Sequence, residues 1–209
     1  MAVLLTLFVV AVLLVANEVW WRKHKVHNEL SRKFVHISVG SFVAFWPYFL
    51  SWNTIRVLSV AFLVGVAVSK YLGIFKAIHS VTRPTLGEVY FALAVGLTTF
   101  ITDKPAVYAV ALLFMSLADG LAAVVGTRYG TGNDYSVMGA HKSLVGTGTF
   151  LVSSYVILLG IAVFSTPIST LACLGIALGA TVLENIADQG LDNLVVPLLV
   201  AYALRLIVH

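Results

Sequence analysis

An all-α helical bundle that crosses a membrane is the fold class the sequence predicts, and three observations predict it. Of 209 residues, 60% are hydrophobic and only 11% are charged, where soluble domains carry roughly 25% charged residues. The apolar residues gather into runs of about the 17–25 residues that a membrane-crossing helix needs. The basic residues do not scatter but collect in alternate gaps between those runs. A mean hydropathy of +0.99 excludes a soluble enzyme, a disordered chain and a secreted disulfide scaffold. Cys173 is the single cysteine and has no partner for a disulfide. The net charge of +4 needs no nucleic acid to explain it, because cytoplasmic loops of membrane proteins are biased towards Lys and Arg.

Eight runs read as spans: 2–20, 34–50, 54–71, 88–102, 105–126, 144–164, 167–186 and 193–208. Residues 88–102 and 193–208 are short, so seven spans is the alternative count. No Lys or Arg precedes the first run, and the positive cluster follows it, as in an anchor rather than a signal peptide. Arg22, Lys23, Lys25, Arg32 and Lys33 follow the first span; Lys70, Lys76 and Arg83 follow the third; Arg128 and Lys142 follow the fifth. Ten of thirteen basic residues thus share one side, against Arg56, Lys104 and Arg205 on the other. By the positive-inside tendency the first side is cytoplasmic and both termini face outward. The outer gaps are short ties, while the cytoplasmic ones are longer and polar, which places the working face in the cytoplasm. No linker or repeat interrupts the chain, so residues 1–209 read as a single domain.

Along that face, polar residues stand where membrane burial alone does not explain them. In the first cytoplasmic gap, Glu29, Arg32, Lys33 and His36 are three or four apart and share a helical face. An Arg fork and a Lys point charge on such a face suit a phosphate; an interfacial anchor for anionic headgroups is the plainer use, above all for Arg22, Lys23 and Lys25. In the second gap, Thr85 three residues before Glu88 fits a capping box. Glu88, near Arg83, reads either as half of an ion pair or as a carboxylate facing a metal.

Asp119 is the strongest signal. It falls about seven residues before the end of the 105–126 run, roughly 10 Å of helical rise. An ionised Asp at the centre of a span costs about 2.5–3.5 kcal/mol on insertion scales, so a cation, metal or wet cavity must offset it. Ala122, Gly126 and Gly130 recur at intervals of four and permit close approach of another backbone. The Gly-, Thr- and Asn-rich segment 129–142 reads as a loop ending in Lys142-Ser143, ahead of Gly146-Thr147-Gly148. Glycines, an ammonium and a helix N-terminus together suit a phosphate. The segment is not a Walker A loop, because its glycine spacing differs and no strand is expected before the helix. In the last cytoplasmic gap, Glu184 and Asp188 are one helical turn apart and repel unless a cation is near. Asp192 and Asn193 open the last span, where Asp also serves as a plain N-cap. Mg²⁺ prefers one or two carboxylates together with phosphate oxygens, and Asp119, Glu184, Asp188 and Asp192 are the candidates.

These pieces, in this order, resemble the CTP-dependent polyprenol kinase family, which includes phytol and dolichol kinases. The matching residues are Glu29, Arg32, Lys33 and His36; Arg83, Gly87 and Glu88; Asp119, Gly120, Gly126 and Gly130; Lys142, Ser143 and Gly146; and Glu184, Asp192, Asn193 and Pro197. The likeness covers nearly the whole chain. It implies transfer of the γ-phosphoryl group of CTP to a membrane lipid alcohol, with Mg²⁺ as the metal. It further implies that Arg32, Lys33, His36, Arg83, Gly120, Gly126, Arg128, Gly130, Lys142, Ser143, Gly146 and Asn193 surround the nucleotide phosphates. The metal carboxylates would come from Asp119, Glu88, Asp188 and Asp192, and Asp119, then Glu184, would accept the hydroxyl proton. One departure stands out: where relatives often read Lys-Ser-x-Glu-Gly, this chain has Val145 in place of the Glu.

Two other readings remain open at this stage. A CTP-dependent cytidylyltransferase would join the same reagents but release pyrophosphate and leave a CDP-lipid. A small ion- or proton-coupled transporter would use Asp119 and Glu184 as relays, but it also needs polar sites facing outward, and the polar residues here are one-sided.

Overall fold

The computed structural model describes residues 1–24, 28–72, 86–138 and 140–208. Its helices are α1 (Ala2–His24), α2 (Asn28–Ala44), α3 (Trp52–Leu72), α4 (Gly87–Ile101), α5 (Pro105–Leu113), α6 (Asp119–Tyr129), α7 (Leu144–Phe164), α8 (Thr170–Ile186) and α9 (Asp192–Ile207). A turn of π-helix, Phe114–Ala118, joins α5 to α6 as one continuous rod. Among the described residues, four stretches are long and apolar enough to cross a membrane: Ala2–Lys23, Trp52–Ser69, Pro105–Tyr129 and Leu144–Phe164. Gly87–Ile101 and Thr170–Ile186 are apolar but shorter. The run 34–50 is not one helix. It breaks after Ala44 into a 3₁₀ turn, Trp46–Tyr48, because Pro47 supplies no N–H and restricts the residue before it.

The 105–129 rod is the centre of the bundle. Of its apolar window 61% is buried, against 22% for α7 and 11% for α1, which lies at the periphery. Tyr108, Leu112, Phe114 and Met115 of the rod are fully enclosed and share a core with Phe150 and Leu158 of α7 and Val196, Val200 and Leu204 of α9. Phe114 and Phe150 meet edge to face at 6.3 Å. In lipid, such packing rather than expulsion of water holds helices together. Glycine lets α2 lie close to the rod: a Cβ at Gly120 would overlap the Ile37 side chain, and one at Gly40 would overlap Ser116.

Where the rod begins, polar ties close the bundle. Lys104 Nζ donates to the Val208 carbonyl at 3.1 Å, holding the end of α9. Arg56 of α3 donates to the Thr99 hydroxyl at 2.9 Å and the Thr99 carbonyl at 3.0 Å, and lies 4.2 Å from the centre of the Phe100 ring. Both ties lie near the start of the rod, at the far end from Asp119.

The segment 129–142 is more ordered than a loop. Strands β1 (Asp134–Val137) and β2 (Ala140–Ser143) pair antiparallel, with Tyr135 opposite Lys142 and Ser136 opposite His141. Four-residue strands of mixed composition are too short for alternation to reveal them. A strand therefore does lead into α7. Ser143 ends β2 and caps that helix, its hydroxyl accepting from Gly146 N–H at 3.1 Å.

Candidate functional site

Asp119 owes its position to the π-helical turn. Its N–H reaches back five residues to the Phe114 carbonyl, so the Asp119 amide does not take the Met115 carbonyl as an α-helix would require. His36 of α2 takes it instead: Nε2 lies 2.8 Å from the Met115 oxygen. A carbonyl only accepts, so that nitrogen carries a proton. The same Nε2 is 3.5 Å from Asp119 Oδ2. Lys33, one turn earlier on α2, donates to Asp119 Oδ2 at 2.6 Å, with both side chains buried. The helical spacing of Lys33 and His36 thus converges as expected, on a carboxylate within the protein. The helix beyond Asp119 runs ten residues to Tyr129, so the carboxylate lies about 15 Å of rise from its end, deeper than the sequence implied.

A second ion pair joins the first. Lys142 of β2 contacts Glu184 of α8, with the Glu184 side chain only 6% exposed. Burial by itself lowers the lysine's affinity for its proton, but the adjacent Glu184 carboxylate outweighs it and holds the ammonium above its ordinary range. One oxygen each from Asp119, Glu184 and Asp192 lie within 4.8 Å of one another. Among the described residues, these three carboxylates are matched by two paired lysines.

The donor set fits a divalent cation. Glu184 Oε2 and Asn193 Oδ1 are buried and have no hydrogen-bond partner among the described residues, and a buried polar oxygen left open calls for water or an ion. Asn193 is oriented by its other end, Nδ2 donating to the Gly87 carbonyl at 3.2 Å. Hard oxygens from carboxylates and an amide are the ligands that Mg²⁺ takes. Asp192 is not the helix cap; Leu191 holds that position, and Asp192 Oδ1 accepts from Asn193 N–H at 3.0 Å.

The glycines of α6 make room for the hairpin. A Cβ at Gly130 would collide with Ser143, and one at Gly126 would stand 3.0 Å from the Ser143 hydroxyl and 3.3 Å from the Gly146 backbone. Ser143 and Gly146 therefore sit in a notch that Gly126 and Gly130 create. Gly148 meets nothing.

Other expected residues lie apart. Asp188 is exposed beyond the end of α8, its carboxylate accepting from Gln189 N–H at 2.7 Å, so it no longer shares a helical face with Glu184. Glu88 is half-buried in the first turn of α4 and is not among the converging carboxylates. Arg128 is exposed, with its guanidinium 5.5 Å from the centre of the Tyr129 ring. Arg32 is half-buried on α2. Arg83 and Thr85 lie outside the described residues; Leu86 occupies the cap position of α4, without a side-chain cap bond.

The sequence did not single out Tyr135, Thr147 or Asn185, yet they form a polar knot beside Glu184. The Tyr135 hydroxyl donates to Asn185 Oδ1 and lies against Thr147 Oγ1, which donates to the same Asn185 oxygen at 3.1 Å. The adjacency of Asn185 to Glu184 was the one available signal.

No family model matches the chain, and no solved structure matches it. Curated relatives do. A phytol kinase from Synechocystis is 35% identical over 187 residues, covering 84% of this chain and 79% of that one. A probable chloroplastic phytol kinase from Triticum aestivum is 34% identical, covering 86% of this chain and 68% of its own length. One from Glycine max is 28% identical over 66% of this chain and half of its own. The buried acidic centre, its paired lysines and identity of this extent over most of both chains lead to one assignment: the chain belongs to the phytol kinase family.

Proposed function

We propose that the protein is a membrane kinase that phosphorylates a prenyl alcohol, with CTP as donor and the reaction at the cytoplasmic face. The observation that carries the reading is the convergence of Asp119, Glu184 and Asp192 with Lys33 and Lys142 inside an apolar bundle, in a chain of this family. Phosphoryl transfer asks a protein mainly for positioning and charge neutralisation, and this centre offers both. Asp119, Glu184 and Asp192 would hold Mg²⁺, which neutralises charge on the donor's phosphate oxygens. The Lys142 and Lys33 ammoniums add positive charge beside it. Asp119, with Glu184 as second candidate, accepts the proton of the alcohol as its oxygen forms the new bond to the γ-phosphorus. The bond from that phosphorus to the bridging oxygen breaks, and CDP leaves with both electrons. The isoprenoid body lies along apolar helices while its hydroxyl reaches the polar centre. The choice of CTP rests on the likeness of the motifs to CTP-dependent polyprenol kinases.

The test is purified protein in detergent with γ-labelled CTP or ATP and phytol, geranylgeraniol, dolichol and diacylglycerol in turn. Label in a prenyl monophosphate, with CTP preferred, is the expected result. Label in pyrophosphate with cytidine carried on the lipid would overturn it in favour of a cytidylyltransferase. Substrate-independent ion flux in liposomes without phosphoryl transfer would favour the transporter.

A further inference from the structure

The hairpin carries one side chain of the acidic centre, Lys142, and its register on the bundle is set elsewhere. Tyr135 stands directly opposite Lys142 in the antiparallel pair, so the two side chains project from the same face of the ribbon. They reach two consecutive residues of α8: Lys142 meets Glu184 and the Tyr135 hydroxyl meets Asn185. Asn185 is itself held, its Nδ2 donating to the Thr181 carbonyl at 2.8 Å, which turns Oδ1 towards the hairpin. Thr147, in the first turn of α7, donates to that oxygen as well. A slip of one residue would move every side chain of a strand to the opposite face, and two strands of four residues have little pairing of their own to resist it. We propose that Tyr135 is a positioning residue: its hydroxyl, locked by Asn185 and Thr147, fixes the hairpin on α8 so that Lys142 faces the acidic centre.

The kinetic part of the test rests on the kinase reading; the structural part does not. Nitroxide labels at Met138→Cys and Phe164→Cys, in a Cys173→Ser background, report the hairpin turn against the far end of α7. Both positions are exposed, at 81% and 90%, and α7 alone has 21 residues, about 31 Å of rise. Tyr135→Phe, which removes one oxygen, is expected to broaden the single distance distribution of the parent, and Asn185→Leu is expected to do the same. In the kinase assay each is expected to raise KM for the nucleotide about five- to tenfold, the weight of one hydrogen bond, with kcat within about twofold. The double variant should be no worse than either single one, because both break one latch. An unchanged distance distribution in both variants overturns the latch. A broadened distribution with unchanged KM, or a fall in melting temperature alone, overturns its coupling to Lys142. Absence of phosphoryl transfer by the parent sinks the kinase reading, and the distance measurement then decides the latch by itself.

Discussion

Removing the ammonium of Lys33 would strand the Asp119 carboxylate in an enclosed site, and that asymmetry separates structural from catalytic roles. Breaking a buried pair by deleting one partner costs about 3–5 kcal/mol, whereas replacing both partners by apolar groups is close to neutral. Lys33→Met is therefore expected to lower thermal stability in detergent sharply, and Lys33→Met/Asp119→Leu to recover most of it while remaining inactive. A double variant as unstable as the single one would show that the pair is not the source of the loss. Asp119→Asn keeps the volume and can still hydrogen-bond Lys33. It is expected to fold at near parental yield and to lose about 10²-fold or more in turnover. Near-parental turnover at saturating CTP and Mg²⁺ would make Glu184 the residue to test next. Asp119 was legible in the sequence because a lone carboxylate in an apolar run demands a partner. Its partners were not. The spacing of Lys33 and His36 indicates a shared face but not what lies opposite that face.

Between elements, the notch on α6 decides where the hairpin and α7 meet. Gly130→Ala places a methyl into Ser143 and the Gly126 carbonyl, both backbone-anchored, and overpacking of this kind costs about 1–3 kcal/mol. The expected outcome is a lower melting temperature together with weaker nucleotide binding, because Lys142 follows Ser143 out of place. Gly148→Ala, in open space on α7, is expected to be neutral or to stabilise by up to about 1 kcal/mol, since alanine is the better helix former. Equal effects of the two would deny the notch. The four-residue spacing of Ala122, Gly126 and Gly130 announced close approach, and Gly126 and Gly130 are used for it. The Gly-Thr-Gly triplet was less readable, because Gly146 is pressed against Ala122 and Ser143 while Gly148 touches nothing, and composition does not distinguish them. The strands escaped notice for a different reason: Asp-Tyr-Ser-Val reaches α7 and α8 through a tyrosine hydroxyl, which has no periodic signature.

For the molecule as a whole, the alternation of basic gaps predicts which segments share a side. Cysteines at Thr131 and Gln189, in a Cys173→Ser background, are expected to react with an impermeant reagent from the cytoplasmic side, and one at Asn53 from the other. Labelling of Thr131 and Gln189 from opposite sides would break the arrangement. The helical class and the apolar run that becomes the rod were readable from hydropathy, but its central place was not, and the interruption at Pro47 shows that an apolar run need not be one helix. The π-helical turn has a wider consequence, because it takes up one extra residue within a single turn and leaves the two halves of the bundle in step. Above it, Lys104 and the Tyr108–Phe114 core are keyed to α9; below it, Asp119 and Gly126 are keyed to α2 and the hairpin. One residue of ordinary helix amounts to about 100° of rotation, which the wider turn absorbs. Deleting Leu117, the half-buried member of that turn, is expected to leave a regular α-helix with both halves still meshed and the Met115 carbonyl drawn back into the helix, away from His36. Far-UV helicity should hold while activity falls; parental activity in the deletion variant would mean that the open carbonyl is not needed. The turn is a slack link in a shaft: it takes in one residue and leaves one carbonyl open to a neighbouring helix.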